Sequence, residues 1–173
     1  MRKILLVIDM QNDFIDGSLG TKEAVEIVDN VVNKIKHYDL ENIFVTMDTH
    51  TENYMNTQEG KYLPVEHCIK GTNGWELNPK IKEAVNGAKL YEKPTFGSTK
   101  LAEDIKAIAD KEEIEIEVVG LCTDICVISN ALMIKAFLPE VKISLDPKCC
   151  AGVTADKHNA ALEVMRSCQI NIE

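Results

Sequence analysis

The stretch Gly120-Leu121-Cys122-Thr123-Asp124-Ile125-Cys126-Val127 joins a strand-like run, Ile114 to Val119, directly to a helix-like run, Asp124 to Phe137. A buried strand that turns straight into a helix is half of a βαβ unit, and such units build parallel sheets with helical crossovers. The turn also carries a thiol. A cysteine in the first turn of a helix meets free backbone N–H groups and the positive end of the helix dipole, which is expected to stabilise a thiolate and lower its pKa. Cys126 is thereby placed as a nucleophile, although a single cysteine there equally suits a small packing residue between helix and sheet. The rest of the chain decides between the two.

Read in order, the chain repeats the strand-then-helix pattern. Ile4 to Ile8 is a continuous apolar run of the kind buried on both faces of a parallel sheet. Ala24 to Ile35 has apolar residues at helical spacing with Lys and Glu opposite. Asn42 to Met47 is a second buried strand, and Asp48 to Trp75 is a long polar loop of the kind that usually carries function. Pro79 to Val85 predicts a short helix and Ala88 to Glu92 a strand, and Leu101, Ala102, Ile105, Ile108 and Ala109 mark an amphipathic helix. After the 114–137 unit come a strand over Val141 to Leu145, a helix over Thr154 to Cys168 announced by Thr154-Ala155-Asp156, and a last strand at Ile170 to Ile172. The expectation is one domain over residues 1–173, a three-layer α/β/α doubly wound fold on a roughly six-stranded parallel sheet.

Ligands of such folds bind beyond the carboxyl ends of the strands. Those ends read Asp9 after the first strand, Asp48 and His50 after the second, Lys93 after the third and the Cys122–Cys126 turn after the fourth. Taken together they are chemically coherent: a carboxylate can take a thiol proton and return it to a leaving amine, and an ammonium can stabilise the thiolate. Cys149 and Cys150, after Pro147, read as small-residue packing, and His37 and His158 as solvated; Tyr54, Tyr62 and Trp75 suit either a pocket wall or a packed loop.

The net charge of −9 and the lack of a Lys/Arg cluster argue against nucleic acid or an anionic membrane and for a small-molecule partner. The apolar run after Met1-Arg2-Lys3 spans five residues before Asp9, too short for a signal peptide or a membrane span. The six cysteines form no CxxC pairs and no compact ladder, as expected for reduced thiols in a cytoplasm. A homo-oligomer is left open.

Five pieces resemble the isochorismatase-like cysteine hydrolases and, within them, the nicotinamidases. They are Ile8-Asp9-Met10-Gln11-Asn12-Asp13-Phe14, Asp48-Thr49-His50, His67-Cys68-Ile69-Lys70-Gly71-Thr72-Asn73-Gly74, Lys93-Pro94-Thr95-Phe96 and Gly120 to Val127. They occur in the family's order and spacing across residues 4 to about 160. The resemblance implies a catalytic triad of Asp9, Lys93 and Cys126, a cis peptide bond between Leu121 and Cys122, and an oxyanion hole from the backbone N–H groups of Cys122 and Cys126. It also implies a divalent metal, zinc in the first place with manganese or iron as alternatives, on Asp48, His50 and His67. Some members add a histidine six residues after the first, where this chain has Asn56; others use a later glutamate, which points to Glu59. Phe14, Leu19 and Phe96 match the family's pocket positions, and each also suits a core. Leu63-Pro64-Val65 stands where many members carry a bulky aromatic, which implies a wider pocket.

The implied activity is a nicotinamidase-like amidohydrolase of NAD salvage that converts nicotinamide or a similar small amide to the acid and ammonia through a thioester on Cys126. Another hydrolase of the superfamily, acting on a carbamoyl or ureido compound or an enol ether, is the nearest alternative. A receiver-like phospho-acceptor module, which also gathers Asp and Lys at strand ends, is the alternative from a different class.

Overall fold

The computed structural model describes residues 1–173. Six strands, β1 (Arg2–Ile8), β2 (Ile43–Asp48), β3 (Lys89–Lys93), β4 (Ile114–Leu121), β5 (Lys142–Ala151) and β6 (Asn171–Ile172), form one parallel sheet in the order β3-β2-β1-β4-β5-β6. A receiver module winds its strands 2-1-3-4-5. The observed order removes that alternative at the level of topology.

Alternation along β1 divides the core in two. Ile4, Leu6 and Ile8 pack on one side with helices α6 (Thr99–Ala109), α7 (Ile128–Phe137) and α8 (Ala155–Ser167). Leu5 and Val7 pack on the other with α2 (Lys22–Glu26), α3 (Val28–Ile35) and α5 (Pro79–Ala84). Successive side chains of a strand point to opposite faces, so an unbroken apolar run is the signature of a strand covered on both. Two short helices, α1 (Asn12–Ile15) and α4 (Gln58–Tyr62), lie at the carboxyl edge of the sheet. Side chains of Thr21, Thr57, Asn78, Ser98 and Thr154 each accept a backbone N–H at a helix start, replacing a partner the first turn lacks.

Three expectations change. The helix read over Ala24 to Ile35 is α2 and α3 meeting at Ile27, whose backbone stays right-handed helical. β5 does not stop at Leu145: Pro147 has no N–H to donate, yet the strand bulges past it and pairing resumes at Gly120 with Cys150 and Leu121 with Ala151. Cys149 and Cys150 therefore lie inside a strand, buried on opposite faces of the sheet, which is packing as expected. The third change is at the turn that carries Cys126, where a π-helical turn, Thr123–Val127, precedes α7, and the Val127 N–H donates to the Cys122 carbonyl five residues back at 3.1 Å.

Candidate active site

The winding of the sheet reverses between β1 and β4, and the residues that follow these two strands face each other across that crevice. Gly120 makes the approach close. It pairs with Ile8, its φ is +120°, and a Cβ there would come 2.1 Å from the Ile8 carbonyl oxygen. Asp9 follows Ile8 with φ 47°, a left-handed conformation that Asp tolerates better than most residues. The Leu121–Cys122 peptide is cis.

Asp9, Lys93 and Cys126 are brought together beneath the sheet edge and are all almost fully buried. Lys93 Nζ lies 2.6 Å from Asp9 Oδ2, 3.3 Å from Cys126 Sγ, 3.0 Å from the Thr95 carbonyl and 3.4 Å from Asp48 Oδ1. The Thr46 hydroxyl donates to Asp9 Oδ1 at 2.6 Å. Asp9 Oδ2, close as it is to the ammonium, receives no well-aligned hydrogen bond, so this buried oxygen keeps capacity for one more proton.

Burial raises the Asp9 pKa, with Lys93 pulling against it, so this carboxylate is a stronger base than an exposed one. Burial works against the Lys93 charge, but Asp9, Cys126 and Asp48 outweigh it and its pKa rises. Cys126 reverses the sequence-based expectation. At 4 % exposure, desolvation of the thiolate is the largest effect and Asp9 adds to it, so the thiol pKa stands well above its ordinary value despite Lys93. The raised pKa favours the thiol over the thiolate, and a carboxylate that could take its proton, Asp9, lies beside it. Burial likewise lifts Cys122 to about 12.

Beside the triad, Asp48, His50, Glu59 and His67 offer ligand atoms that all lie within 4.8 Å of one another. His50 Nε2 is 3.0 Å and His67 Nε2 3.4 Å from Asp48 Oδ2; the same nitrogens are 3.7 and 3.6 Å from Glu59 Oε1. His67 Nδ1 meets the Val65 carbonyl at 2.9 Å, which keeps a proton on Nδ1 and leaves Nε2 to face the carboxylates. Asn56 turns away: it is exposed and its amide bonds Asn53 Oδ1 at 2.7 Å. Thr57, capping α4, sets the helix that carries Glu59 inward. Burial would raise the Asp48 pKa, but hydrogen bonds to both histidines hold it well below the carboxylate range, and His67, with burial opposing and Asp48 and Glu59 prevailing, is lifted to about 10.

A cavity of about 790 Å³ opens onto Cys126 and this cluster. Phe14, Leu19 and Phe96 line it as expected, with Cys122, Ile125 and Leu63. Phe14 lies 5.5 Å ring to ring from His67. Tyr54 is not on the wall; fully buried, it packs beneath the two histidine rings at 4.8 and 4.9 Å. Tyr62 is exposed at the mouth, and Trp75 donates from Nε1 to the Thr49 hydroxyl at 2.9 Å, as a packed loop residue. His37 is solvated, but His158 is half-buried with Nδ1 2.7 Å from the Thr123 hydroxyl. That corrects the expectation for His158: α8 presses its first turns against the turn that carries Cys126, which shields the ring in part from water.

Two supporting residues were not anticipated. Gln11 donates from Nε2 to the Asp48 and Trp75 carbonyls and accepts the Asp48 N–H, each at 2.8 Å, so it fastens the end of β2 to the long loop. Thr46 orients Asp9; its signal is a hydroxyl inside the otherwise apolar strand Ile-Phe-Val-Thr-Met.

No helix is long and apolar enough to cross a membrane. The chain is 29% identical over 173 residues to an uncharacterized isochorismatase family protein, PncA, of Bacillus subtilis, covering 94% of this chain and 93% of that one. It is 25% identical over 185 residues to the nicotinamidase/pyrazinamidase of Mycobacterium tuberculosis, covering 98% and 97%. Its fold matches the crystal structure of the pyrazinamidase of Pyrococcus horikoshii in complex with zinc with a TM-score of 0.80 at 24% identity, over 100% of this chain and 99% of that one. The isochorismatase domain family matches residues 3–172, and the chain belongs to that family.

Proposed function

We propose that this protein is a nicotinamidase-type amidohydrolase that turns a primary carboxamide on a nitrogen heterocycle into the acid and ammonia. The observation that carries this reading is the buried Asp9–Lys93–Cys126 arrangement, 2.6 and 3.3 Å about one ammonium, at the head of a cavity that also opens onto the His/Asp/Glu cluster. Relatives named as nicotinamidases agree with it.

In this reading Asp9 takes the Cys126 proton as the sulfur attacks the amide carbon, and the Lys93 ammonium holds the charge that develops on sulfur. The backbone N–H groups of Cys122 and Cys126 receive the carbonyl oxygen as it becomes an oxyanion. Asp9 returns the proton to the amide nitrogen, the C–N bond breaks, and ammonia leaves a thioester on Cys126. Water then takes the place of ammonia, gives a proton to Asp9 and attacks the thioester carbon; the C–S bond breaks, the acid departs and Asp9 reprotonates the sulfur. Phe14, Leu19 and Phe96 form the walls against which the ring lies.

Two imidazoles and two carboxylates within 4.8 Å suit a divalent ion with an oxygen and nitrogen preference, so Asp48, His50, Glu59 and His67 would hold zinc, or manganese or iron. When bound, the ion supplies a Lewis-acid contact for a ring nitrogen of the substrate. His67, lifted to about 10 by the two carboxylates, would have to be neutral at Nε2 to hold the ion. We read the setting as a reducing cytoplasm, consistent with six free cysteines, and the nicotinamide reaction as a step of NAD salvage.

Ammonia release from nicotinamide, pyrazinamide and a panel of carbamoyl and ureido compounds tests the reading. Turnover of the ring carboxamides, with an acyl adduct on Cys126 trapped by acid quench and mass spectrometry, is expected. Turnover confined to carbamoyl compounds would overturn the substrate assignment.

A further inference from the structure

Asn130 is 1 % exposed, lies one turn beyond Cys126, hydrogen-bonds no triad side chain and does not line the cavity. Its amide nevertheless makes three hydrogen bonds to two separate parts of the site. Nδ2 donates to the Cys126 carbonyl at 2.8 Å and to the Phe96 carbonyl at 3.1 Å, while Oδ1 accepts the Ser98 N–H at 2.9 Å. The bonds to Phe96 and Ser98 run to the loop between β3 and α6, the loop that begins at Lys93.

These bonds close a ring. From Cys126 it passes through Asn130 to the loop at Phe96 and Ser98, back along the loop to Thr95, whose carbonyl accepts from Lys93 Nζ at 3.0 Å, and from Lys93 Nζ to Cys126 Sγ at 3.3 Å. Loop and helix approach closely enough that a Cβ on Gly97 would come 2.6 Å from the Met133 methyl of α7. Resting on the reading of Cys126 as nucleophile and Lys93 as its cation, we propose that Asn130 is a positioning residue: it sets the distance between the Lys93 ammonium and the thiol, and it holds the Phe96 wall of the substrate cavity.

The physical reason to assign this to a side chain is that the loop has little else to fix it there. Pro94, Thr95 and Phe96 are exposed, and the Lys93 ammonium is divided between three hydrogen-bond acceptors and its ion pair with Asp9, so a shift of the Thr95 carbonyl shifts the ammonium with it. A buried amide with three of its four hydrogen-bonding positions used is also costly to disturb, because each lost bond strands a buried carbonyl or N–H.

The test separates positioning from folding. In Asn130→Thr the hydroxyl can still bond the carbonyl four residues back, that of Cys126, but cannot span to Phe96 and Ser98. Asn130→Leu removes all three bonds. Each purified variant is alkylated with iodoacetamide, and reaction at Cys126 is followed by peptide mass spectrometry, which yields both the fraction of sites that react and the rate per reactive site. Asn130→Thr is expected to keep a full complement of reactive sites while the rate per site falls about tenfold, as for a modest misplacement of reacting groups, with Asn130→Leu at least as slow. With an amide substrate, kcat should fall in the same proportion and KM should rise because the Phe96 wall is loosened. A wild-type rate per site in folded Asn130→Thr would overturn the proposal, and so would a loss confined to the number of reactive sites, the mark of a merely structural residue. The alkylation arm needs no substrate, so it stands or falls separately from the amidase assignment.

Discussion

Replacing Lys93 by methionine removes a cation that is 1 % exposed and leaves Asp9, fully buried, facing an apolar chain at the place where an ammonium stood 2.6 Å away. Asp48 keeps its two histidine partners, so Asp9 is the group left uncompensated. Removing one member of a buried pair in this way costs about 3–5 kcal/mol, most of it the cost of the stranded charge. The pH dependence identifies that charge. Burial already raises the Asp9 pKa and Lys93 opposes the rise, so without Lys93 the pKa climbs further. A carboxyl whose folded pKa exceeds its unfolded value of about 3.9 binds protons more tightly when folded, so its contribution to stability improves as pH falls through the folded pKa and levels off below the unfolded one. Urea unfolding of wild type and Lys93→Met in chelator, at pH 8 and pH 5, should therefore show the full deficit at pH 8 and a smaller one at pH 5. Adding Asp9→Asn should restore much of the loss at pH 8 and remove the pH dependence of the difference. A deficit that is equal at both pH values, and unchanged by Asp9→Asn, would refute the idea that Lys93 neutralises a buried Asp9.

The remaining expectations concern chemistry. Cys126→Ala should abolish turnover with the thermal midpoint nearly unchanged, whereas Cys122→Ala should be mild because the backbone N–H serves there; the reverse pattern in an ammonia assay would reassign the nucleophile. Asp9→Asn should slow kcat by on the order of 10²-fold, the range for losing a general acid–base, and a variant within a factor of a few of wild type would remove Asp9 from that role. Because burial raises the Cys126 pKa, iodoacetamide inactivation should keep accelerating with pH beyond about 8.5, where an ordinary thiol is half ionised, and a plateau below that value would show a stabilised thiolate instead. Glu59→Ala should lower zinc retention after dialysis and raise KM more than it lowers kcat, with Asn56→Ala unchanged on both measures; equal loss in the two variants would break the ligand assignment.

What the sequence could reveal about this site follows from how each residue earns its position. Asp9 and Asp48 were legible because each ends a run of buried apolar residues, and Lys93 because it ends the next strand, an edge strand in which only Tyr91 and Lys93 are buried; in a parallel sheet such ends converge on one edge. The buried strands β1 and β2 were legible for the same reason, whereas the continuation of β5 past Pro147 was not, because a bulge that restores pairing depends on the neighbouring strand and leaves no local signature. Glu59 against Asn56 could not be decided from spacing along a long loop; the cap at Thr57 and the two histidines decide it in space. The Cys126 pKa was misjudged for a sharper reason. A helix terminus is a local feature and can be read from residues next to the thiol, whereas desolvation depends on everything packed over it, including Asp9, which follows β1 and lies 117 positions away in the chain. The same holds for Asn130, which in a helix reads as one more polar side chain and has meaning only against the loop that carries Lys93. The identity of the candidate reacting groups is therefore legible before their protonation, because identity is written where strands end and helices begin while protonation is set by packing between elements distant in the chain.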